Sequence, residues 1–353
     1  MRKESLVFLE ELVNAPSPSG FEQQAQTVVR EYAGRFADEV QTDVMGNVIA
    51  AVNPGGSPRV MLAGHVDEIG FMVRYITDQG FIHFSPIGGV DAHLVPGQKV
   101  TIHGAKGPVL GVVGKKAIHL MEADERKKVL DFHQQWIDIG AANRRAAEKR
   151  VAIGDPITFK ANFELLNGHI AVARGFDDKM GSFVVMEALR LAKSARLKPA
   201  VFAVSTVQEE IGARGACTSA FALDPHVGIA VDVGHATDYP DADKKRVGDT
   251  RLGGGPILHR GANMNPVVTE RLLAAADKAK VKYQMIGVPG ASGTDAWAIQ
   301  LVRGGCASSV VSVPLRYMHT PIEVLDLRDL ETTSKLLARF CLDLKPDTSF
   351  VPQ

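Results

Sequence analysis

The chain has 353 residues, of which 45% are hydrophobic and 23% are charged, as in ordinary globular proteins. Lys and Arg together number 40, and Asp and Glu together also number 40, so the formal net charge is zero. This balance argues against nucleic acids and anionic membrane surfaces as partners. The length predicts two domains, and we expect a small molecule, a peptide or a second copy of the chain as partner.

The N-terminal segment and the cysteines predict a cytoplasmic protein. Glu4, Glu10 and Glu11 interrupt the apolar run that a secretory signal requires. No stretch approaches the roughly 18 to 20 apolar residues of a membrane-spanning helix. The three cysteines are odd in number and widely spaced, which is typical of reduced thiols rather than of a disulfide framework.

The first elements in chain order are two predicted helices between residues 5 and 36. Pro16, Pro18 and Gly20 break the chain between them. Strand-like residues then surround a turn at 43–47. Residues 59–63 form a short apolar run that is typical of a buried strand.

Residues 69–159 have a different pattern, in which short alternating segments are separated by glycines. The alternating segments are 71–76, 81–84, 99–103 and 109–113. This spacing predicts a small β-rich domain with a barrel architecture. One short helix is predicted within it, at residues 143–150.

After residue 167, predicted helices alternate with apolar strands. The strands are 200–206, 227–232 and 307–313, and the helices are 181–193, 269–279 and 329–342. This alternation predicts an α/β fold with a doubly wound mixed sheet. The β-rich segment interrupts that domain in the sequence, so we predict one domain from residues 1–67 and 166–353 and an inserted domain from residues 68–165.

Five segments place metal-ligand residue types at the carboxyl ends of predicted strands, where open α/β sheets form their binding sites. In the first segment, His65 follows a buried strand and Asp67 comes two residues later. This spacing suits a histidine ligand whose second ring nitrogen is oriented by a carboxylate. Taken alone, the pattern is better explained by a turn histidine followed by surface acids.

Two further segments contain adjacent acids. Asp177 and Asp178 stand at a strand-to-helix junction, where they can cap the helix or bridge two metal ions. Glu209 and Glu210 directly follow a strand, and their mutual repulsion is unusual in that position. A nearby metal ion would offset this repulsion, with one Glu as its ligand and the other as general base. A solvated loop with two acidic residues is an equal alternative.

The last two segments are Asp232 at the end of an apolar strand and His319 beyond the strand at 307–313. Each of them alone is weak evidence for a ligand. Together, however, the five segments supply two His, two Asp and one Glu as ligands, and a second Glu as base. This set is typical of a hydrolytic centre with two divalent ions such as zinc or cobalt.

The motifs also resemble those of the tetrahedral-aminopeptidase and glutamyl-aminopeptidase family of metallopeptidases, in the same order and over nearly the whole chain. They are His65-Val66-Asp67, Phe176-Asp177-Asp178-Lys179, Gln208-Glu209-Glu210-Ile211-Gly212, the strand with Asp232, and Tyr317-Met318-His319-Thr320-Pro321. By this resemblance the chain is identified as a member of that family.

The resemblance implies two divalent ions per chain, zinc first, with cobalt or manganese as alternatives. The implied ligands are His65, Asp177 and Asp232 for one ion and Asp177, Glu210 and His319 for the other. Asp177 would bridge the ions, and Asp178 would shape the backbone beside it rather than bind metal. Of the catalytic residues, Glu209 would be the general base and Asp67 would orient His65.

The implied activity is removal of N-terminal residues from peptides with a free N-terminus, by attack of a metal-bridging hydroxide. The family also implies that the 1–67 and 166–353 domain is catalytic and that the insertion is a dimerisation domain. Dimers would then assemble into a hollow tetrahedral dodecamer. Alternatives are a two-metal deacylase or dipeptidase with the same ligands, and a non-catalytic scaffold; acidic and aliphatic N-terminal residues are both compatible with the sequence.

Overall fold

A computed structural model of the chain describes residues 1–193 and 197–353. Within these ranges the chain divides into two compact units. The first, the sheet unit, comprises Met1–Asp67, Asn162–Met318 and Ile322–Gln353, and the second, the barrel unit, comprises Glu68–Ala161 and His319–Pro321. The domain ranges 1–67 with 166–353 and 68–165 stay a prediction from the sequence.

The helices in the described ranges include the two that were predicted before residue 36. They are α1 (Lys3–Asn14), α2 (Gln23–Ala33), α3 (Arg144–Glu148), α4 (Phe176–Lys193), α5 (Arg214–Leu223), α6 (Lys244–Val247), α7 (Pro266–Ala279), α8 (Asp295–Gln300) and α9 (Leu327–Asp343). Over the residues that the structure describes, none of them combines the length and apolar character needed to cross a membrane.

The strands alternate with these helices except in the barrel unit. They are β1 (Glu39–Thr42), β2 (Val48–Val52), β3 (Arg59–His65), β4 (Gly70–Ile76), β5 (Ile82–Ile87), β6 (Lys99–Gly104), β7 (Gly107–Val113), β8 (Ile137–Asp138), β9 (Pro156–Phe159), β10 (Glu164–Asn167), β11 (Ile170–Ala173), β12 (Ala200–Thr206), β13 (Val227–His235), β14 (Ile257–Gly261), β15 (Gln284–Val288), β16 (Ala307–Leu315) and β17 (Glu323–Asp326). Three short 3-10 turns at 118–120, 125–127 and 132–134 complete the described elements.

The sheet unit is built around an eight-stranded mixed sheet with the order β1-β2-β12-β3-β13-β16-β14-β15. Strands β12, β3, β13 and β16 run parallel to one another. Strand β2 is antiparallel to β12, and β14 is antiparallel to β16. The central strands are buried on both faces, as their nearly continuous apolar runs predict. A separate three-stranded sheet has the order β10-β11-β17.

Side chains of β3 alternate between two hydrophobic cores on opposite faces of the sheet. Val60 and Leu62 belong to the larger core, which also contains residues of α1, α4 and α9. Met61 and Ala63 belong to a smaller core with residues of α5 and α8. Helices therefore cover both faces, which confirms the predicted doubly wound mixed α/β sheet.

The barrel unit consists of six antiparallel strands that close in the order β4-β5-β8-β7-β6-β9. Phe71 lies at the centre of its core, where its ring packs edge-on against Phe84 at 5.0 Å and against Phe159 at 5.1 Å. Along β7, buried side chains alternate with exposed ones that include Leu110 and Val112. The closed barrel confirms the fold predicted for the insertion.

Two glycines allow helix α4 to lie directly against the end of β3. A Cβ atom at Gly64 would lie 2.3 Å from the backbone of Gly181, and a Cβ atom at Gly181 would lie 2.2 Å from the carboxylate of Asp178. No side chain fits at either distance, so both positions require glycine. This close approach brings the first residues of α4 beside His65, the last residue of β3.

Candidate active site

The candidate site lies in the sheet unit, at the carboxyl ends of three neighbouring parallel strands. Strand β3 ends at His65, and β12 ends at Thr206, shortly before Glu209 and Glu210. The sheet register pairs Thr206 directly with His65. Asp232 lies in the second half of β13, on the other side of β3. Open α/β sheets bind their ligands at this edge.

Two groups of side chains in this region could each hold a metal ion. The first is His65, Asp177 and Glu210, and the second is His65, Asp178 and Asp232. Within each group, one ligand atom from each residue lies within 4.8 Å of the others. His65 is shared by both groups, so the five side chains converge on one region.

The chemistry of these side chains fits divalent cations. Imidazole nitrogen and carboxylate oxygen are ligands of zinc and of similar ions. Burial raises the pKa values of Asp178 and Asp232 well above their usual range, and repulsion from Asp177 raises both further. Because buried carboxylates so close together oppose each other's ionisation, a bound cation would stabilise their charged forms.

Both ring nitrogens of His65 face oxygen atoms of aspartate residues. Its Nδ1 lies 3.0 Å from the backbone oxygen of Asp67, and its Nε2 lies 3.4 Å from Oδ1 of Asp177. Burial disfavours the imidazolium, but hydrogen bonds with Asp177 and Asp67 raise the pKa of His65 well above its usual value. The contact at Nδ1 directs Nε2 toward the carboxylate of Asp177, as in histidine ligands whose second nitrogen is held by a partner.

Asp67 connects the end of β3 with the loop that carries the two glutamates. Its Oδ1 accepts a hydrogen bond from the backbone N–H of Glu209 at 3.0 Å. Its Oδ2 accepts from the backbone N–H of Glu210 at 3.2 Å and from the Ser19 hydroxyl at 2.7 Å. Burial alone would raise the pKa of Asp67, but His65 and these donors lower it below its usual value. Asp67 is therefore a charged anchor for the loop.

The loop itself has a backbone that needs such anchors. Gln208 has a φ of 58°, a left-handed conformation that non-glycine residues adopt at a cost of about 1 to 3 kcal/mol. The neighbouring Val207 N–H donates to the side-chain oxygen of the buried Asn47 at 3.0 Å. Together with Asp67, Asn47 holds the loop in the conformation that presents Glu209 and Glu210.

Glu209 has the properties of a general base. One of its carboxylate oxygens lies 3.8 Å from Nε2 of His65. Burial raises the pKa of Glu209 to about 7, and the negative charges of Asp295, Asp67 and Asp177 contribute in the same direction although His65 opposes them. A carboxylate with a pKa near neutrality can both accept and return a proton at physiological pH.

The two aspartates at the start of α4 have different surroundings. They have non-helical backbone angles and are joined by a cis peptide bond. Both oxygens of Asp178 accept backbone hydrogen bonds, from His65 at 3.1 Å and from Gly181 at 3.2 Å, so Asp178 shapes the backbone as expected. It also lies in one of the two possible metal-binding groups, which the sequence analysis did not expect.

His319 is the predicted ligand that neither group contains among the described residues. The segment His319–Pro321 belongs to the barrel unit, although the predicted domain ranges assign it to the α/β domain. Within the barrel unit, Nδ1 of His319 lies 2.9 Å from the backbone oxygen of Gly89. Its role as a metal ligand stays a prediction.

Sequence reasoning missed three buried residues that support the site. They are Ser19, Asn47 and Glu323, whose Oε2 accepts the backbone N–H of Asp177 at 3.0 Å. Glu323 had a detectable signal, because it is an acid beside the apolar run Val324-Leu325. Ser19 and Asn47 stand in turns, where Ser and Asn are common for local reasons.

Comparison with known proteins gives relatives over the full length of the chain. The sequence pattern of the M42 glutamyl aminopeptidase family matches residues 46–336. The lysyl aminopeptidase of Pyrococcus furiosus is 37% identical over 341 residues, which cover 96% of this chain and 97% of that protein. The chain therefore has a sequence relative of known class that covers both of its compact units.

Solved structures show the same relationship. The TET aminopeptidase of a marine-sediment Thaumarchaeota archaeon has a TM-score of 0.92 at 35% identity, over 97% of this chain and 96% of that chain. The TET1 peptidase of Pyrococcus horikoshii, which can assemble into a tetrahedron or a large octahedral shell, has a TM-score of 0.86 at 30% identity, over 96% and 100%. The predicted resemblance is thus confirmed: the chain belongs to the M42 glutamyl aminopeptidase family and is a hydrolase of the peptidase class.

Proposed function

We propose that the chain is a metal-dependent aminopeptidase that removes N-terminal residues from peptides with two divalent cations in the candidate site. The observation that carries this proposal is the convergence of His65, Asp177, Asp232 and Glu210 at one end of the parallel strands, with Glu209 beside them. Imidazole and carboxylate side chains brought together in this way are the ligand types that divalent cations such as zinc prefer in proteins.

In this proposal the residues divide between two ions. One ion would be held by His65, Asp177 and Asp232, and the other by Asp177, Glu210 and His319. By the family resemblance Asp177 would contribute to both ions, whereas Asp178 accepts backbone hydrogen bonds from His65 and Gly181. The inclusion of His319 rests on the family resemblance. Zinc is the first candidate, and cobalt and manganese tolerate the same ligands.

The side chains have separate parts in the reaction. When bound, the cations would lower the pKa of water and stabilise negative charge on the substrate carbonyl oxygen. Glu209 takes a proton from the attacking water and returns it to the leaving amine, for which its pKa of about 7 is suited. Asp67 contacts both the His65 ring and the backbone N–H groups of the two glutamates, and so fixes their positions relative to each other.

The test is hydrolysis of aminoacyl-anilides with Lys, Glu or Leu, each with a free or an acetylated α-amine. We expect only the free amines to be cleaved and a chelator to abolish turnover until metal is restored. Glu209→Gln should lower kcat by about 10²- to 10⁴-fold, the usual contribution of a general base. Glu148→Gln, an exposed change in α3, is the matched control and should leave kcat unaltered.

Two results would contradict this proposal. Cleavage that persists without metal would remove the two-ion centre from the reaction. Equal cleavage of acetylated and free substrates would favour a two-metal deacylase over an aminopeptidase. The choice among Lys, Glu and Leu substrates would also rank the preferred N-terminal residue.

We further propose, from the family resemblance and by analogy with the dodecamer of the Pyrococcus horikoshii TET1 peptidase, that the chain forms a dodecamer built from dimers, which pair through the barrel unit. The exposed apolar side chains of Leu110 and Val112 on β7 support an interface there. Sedimentation should give a mass of about twelve times the chain mass of 37.9 kDa. Replacing Leu110 and Val112 by Asp should reduce the mass of the assembly, whereas Ile153→Asp in an exposed turn should leave it unchanged.

Cell fractionation tests the predicted cytoplasmic location.

A further inference from the structure

The connection between α1 and α2 binds the residues that follow β3. The Ser17 hydroxyl donates a hydrogen bond to the backbone oxygen of Val66 at 2.7 Å. Two residues later, the Ser19 hydroxyl donates to Oδ2 of Asp67, also at 2.7 Å. Both serine side chains are buried. The two contacts therefore differ in the group that accepts the bond rather than in length or depth.

The Ser19 bond ends on a carboxylate on which the candidate site depends. Asp67 is fully buried, so its carboxylate depends on protein donors for its hydrogen bonds. Without Ser19, the donor left on Oδ2 would be the backbone N–H of Glu210, at the longer distance of 3.2 Å. The short Ser19 bond therefore limits rotation of the Asp67 carboxylate, which the single longer bond would hold less firmly.

We infer that Ser19 is a positioning residue for the peptidase reaction, because its hydroxyl fixes the Asp67 carboxylate. That carboxylate accepts the backbone N–H groups of Glu209 and Glu210 and lies 3.5 Å from Nδ1 of His65. This inference rests on the proposed function. The Ser19 hydroxyl donates to Asp67, which is not a proposed metal ligand, so Ser19 would act through Asp67.

Hydrogen bonds on both sides of the two serines hold the connection between α1 and α2 in place, so the Ser19 hydroxyl has a defined direction. The Lys179 ammonium of α4 donates to the backbone oxygen of Ala15 at 2.6 Å, before the serines. After them, the Gly20 N–H donates to Glu22 Oε1 at 2.7 Å, and the Gln26 side chain donates to the backbone oxygen of Ser205 at 2.8 Å. The segment is thus tied to α4, which carries Asp177, and to β12, which leads into the loop with Glu209 and Glu210.

The sequence supplies a matched pair for the test. Ser17→Ala and Ser19→Ala each delete one buried hydroxyl from the same connection. The Ser17 bond ends on a backbone carbonyl, and the Ser19 bond ends on Asp67. A loss that reflects only packing or stability should appear in both variants, whereas a loss of positioning should appear only at Ser19.

The experiment measures kcat and KM on a free-amine aminoacyl-anilide, and the affinity of metal-free protein for Zn²⁺ by titration calorimetry. Ser19→Ala should lower kcat by about tenfold or more and weaken Zn²⁺ binding by about tenfold, as is usual for partners that orient metal ligands. KM should stay within about twofold, because the substrate contacts are unchanged. Ser17→Ala should leave kcat and affinity within about twofold, and Ser19→Thr, which keeps the hydroxyl, should recover both.

A second arm uses Asp67→Asn. If Ser19 acts through Asp67, adding Ser19→Ala to Asp67→Asn should weaken Zn²⁺ binding no further. Equal losses in Ser17→Ala and Ser19→Ala, or additive losses with Asp67→Asn, would overturn the inference. A wild-type protein that binds Zn²⁺ without hydrolysing peptides would contradict the proposed function, while the calorimetric comparison would still decide the role of Ser19.

Discussion

The two units bury different kinds of side chain. In the described part of the barrel unit, the core is aromatic and aliphatic, and its buried polar side chains are those of Glu68, Gln135 and Thr158. The sheet unit has a larger apolar core, yet it also buries Asp67, Asp178 and many other ionisable groups. Because buried ionisable groups usually oppose folding, their concentration in the sheet unit marks that unit as the place to look for a functional site.

The largest expected effect is that of Asp177→Asn, because this side chain is the proposed bridge between both ions. Each ion contributes several kcal/mol to stabilisation of the transition state, so kcat should fall by about 10³-fold or more. Zn²⁺ titration should show weaker binding of both equivalents. Asp78→Asn, an exposed change in the barrel unit, should alter neither quantity; if both variants behaved alike, the contrast between the units would fail.

Phe71→Ala tests the opposite side of the comparison. The variant removes a fully buried ring that packs on Phe84 and Phe159, and we expect it to lower the free energy of unfolding by about 3 to 5 kcal/mol. Denaturant titration measures this loss. Ile153→Ala, at an exposed position in the same unit, should cost less than about 0.5 kcal/mol.

His259 on β14 shows that buried ionisable groups of the sheet unit also set its response to acid. Its Nε2 lies 3.0 Å from the Ser312 hydroxyl, and its Nδ1 is buried without a hydrogen-bond partner among the described residues. Burial lowers the pKa of His259 to about 4. Because the unfolded chain binds the proton more tightly, the stabilisation present above pH 6.5 is lost as the pH falls toward 4.

The measurement for His259 is the free energy of unfolding of wild type and His259→Gln at pH 8 and pH 5. Wild type should lose about 2 kcal/mol more than the variant over this interval, since glutamine does not titrate. The stability that other titrating groups lose at acidic pH is the same in both proteins, so it cancels in the difference. Parallel pH profiles would contradict the prediction, because they would show that the pKa of His259 is the same in the folded and unfolded states.

The smallest expected effect concerns Asn143, which caps α3 in the barrel unit. Its side-chain oxygen accepts the Ala146 N–H at 3.0 Å. Asn143→Ala should lower the free energy of unfolding by about 1 kcal/mol, the usual value of such a cap, and Asn143→Asp should change it by only a few tenths. Thermal or denaturant unfolding checks both, and a full kcal/mol loss in the Asp variant would contradict the capping role.

The fold was largely predictable because its main elements have local signals. Apolar runs such as residues 59–63 and 227–232 predicted β3 and β13, and glycine-punctuated alternation predicted the barrel. The convergence of the acidic residues was also predictable, since carboxyl ends of parallel strands meet at one edge. These inferences need only the sequence near each element.

Other features depend on contacts between distant parts of the chain. The bond from Ser19 to Asp67 joins residues that are 48 positions apart in the sequence, and nothing near Ser19 distinguishes it from an ordinary turn serine. The requirement for glycine at Gly64 arises only because Gly181 packs on it. Asp178 joins a possible metal-binding group through the backbone geometry at the start of α4. Contacts of this kind leave no periodic pattern in the sequence from which they could be predicted.

The parallel pairing of β12 with β3 has a consequence for the nascent chain on the ribosome. His65 and Asp67 leave the exit tunnel long before Thr206, the residue that pairs with His65 in the sheet. At typical translation speeds of about 5 to 20 residues per second, the roughly 140 intervening residues take about 7 to 28 s to make. During that interval β3 lacks its neighbours on both sides, so cotranslational chaperones would meet an exposed apolar strand and only the first residues of the candidate site.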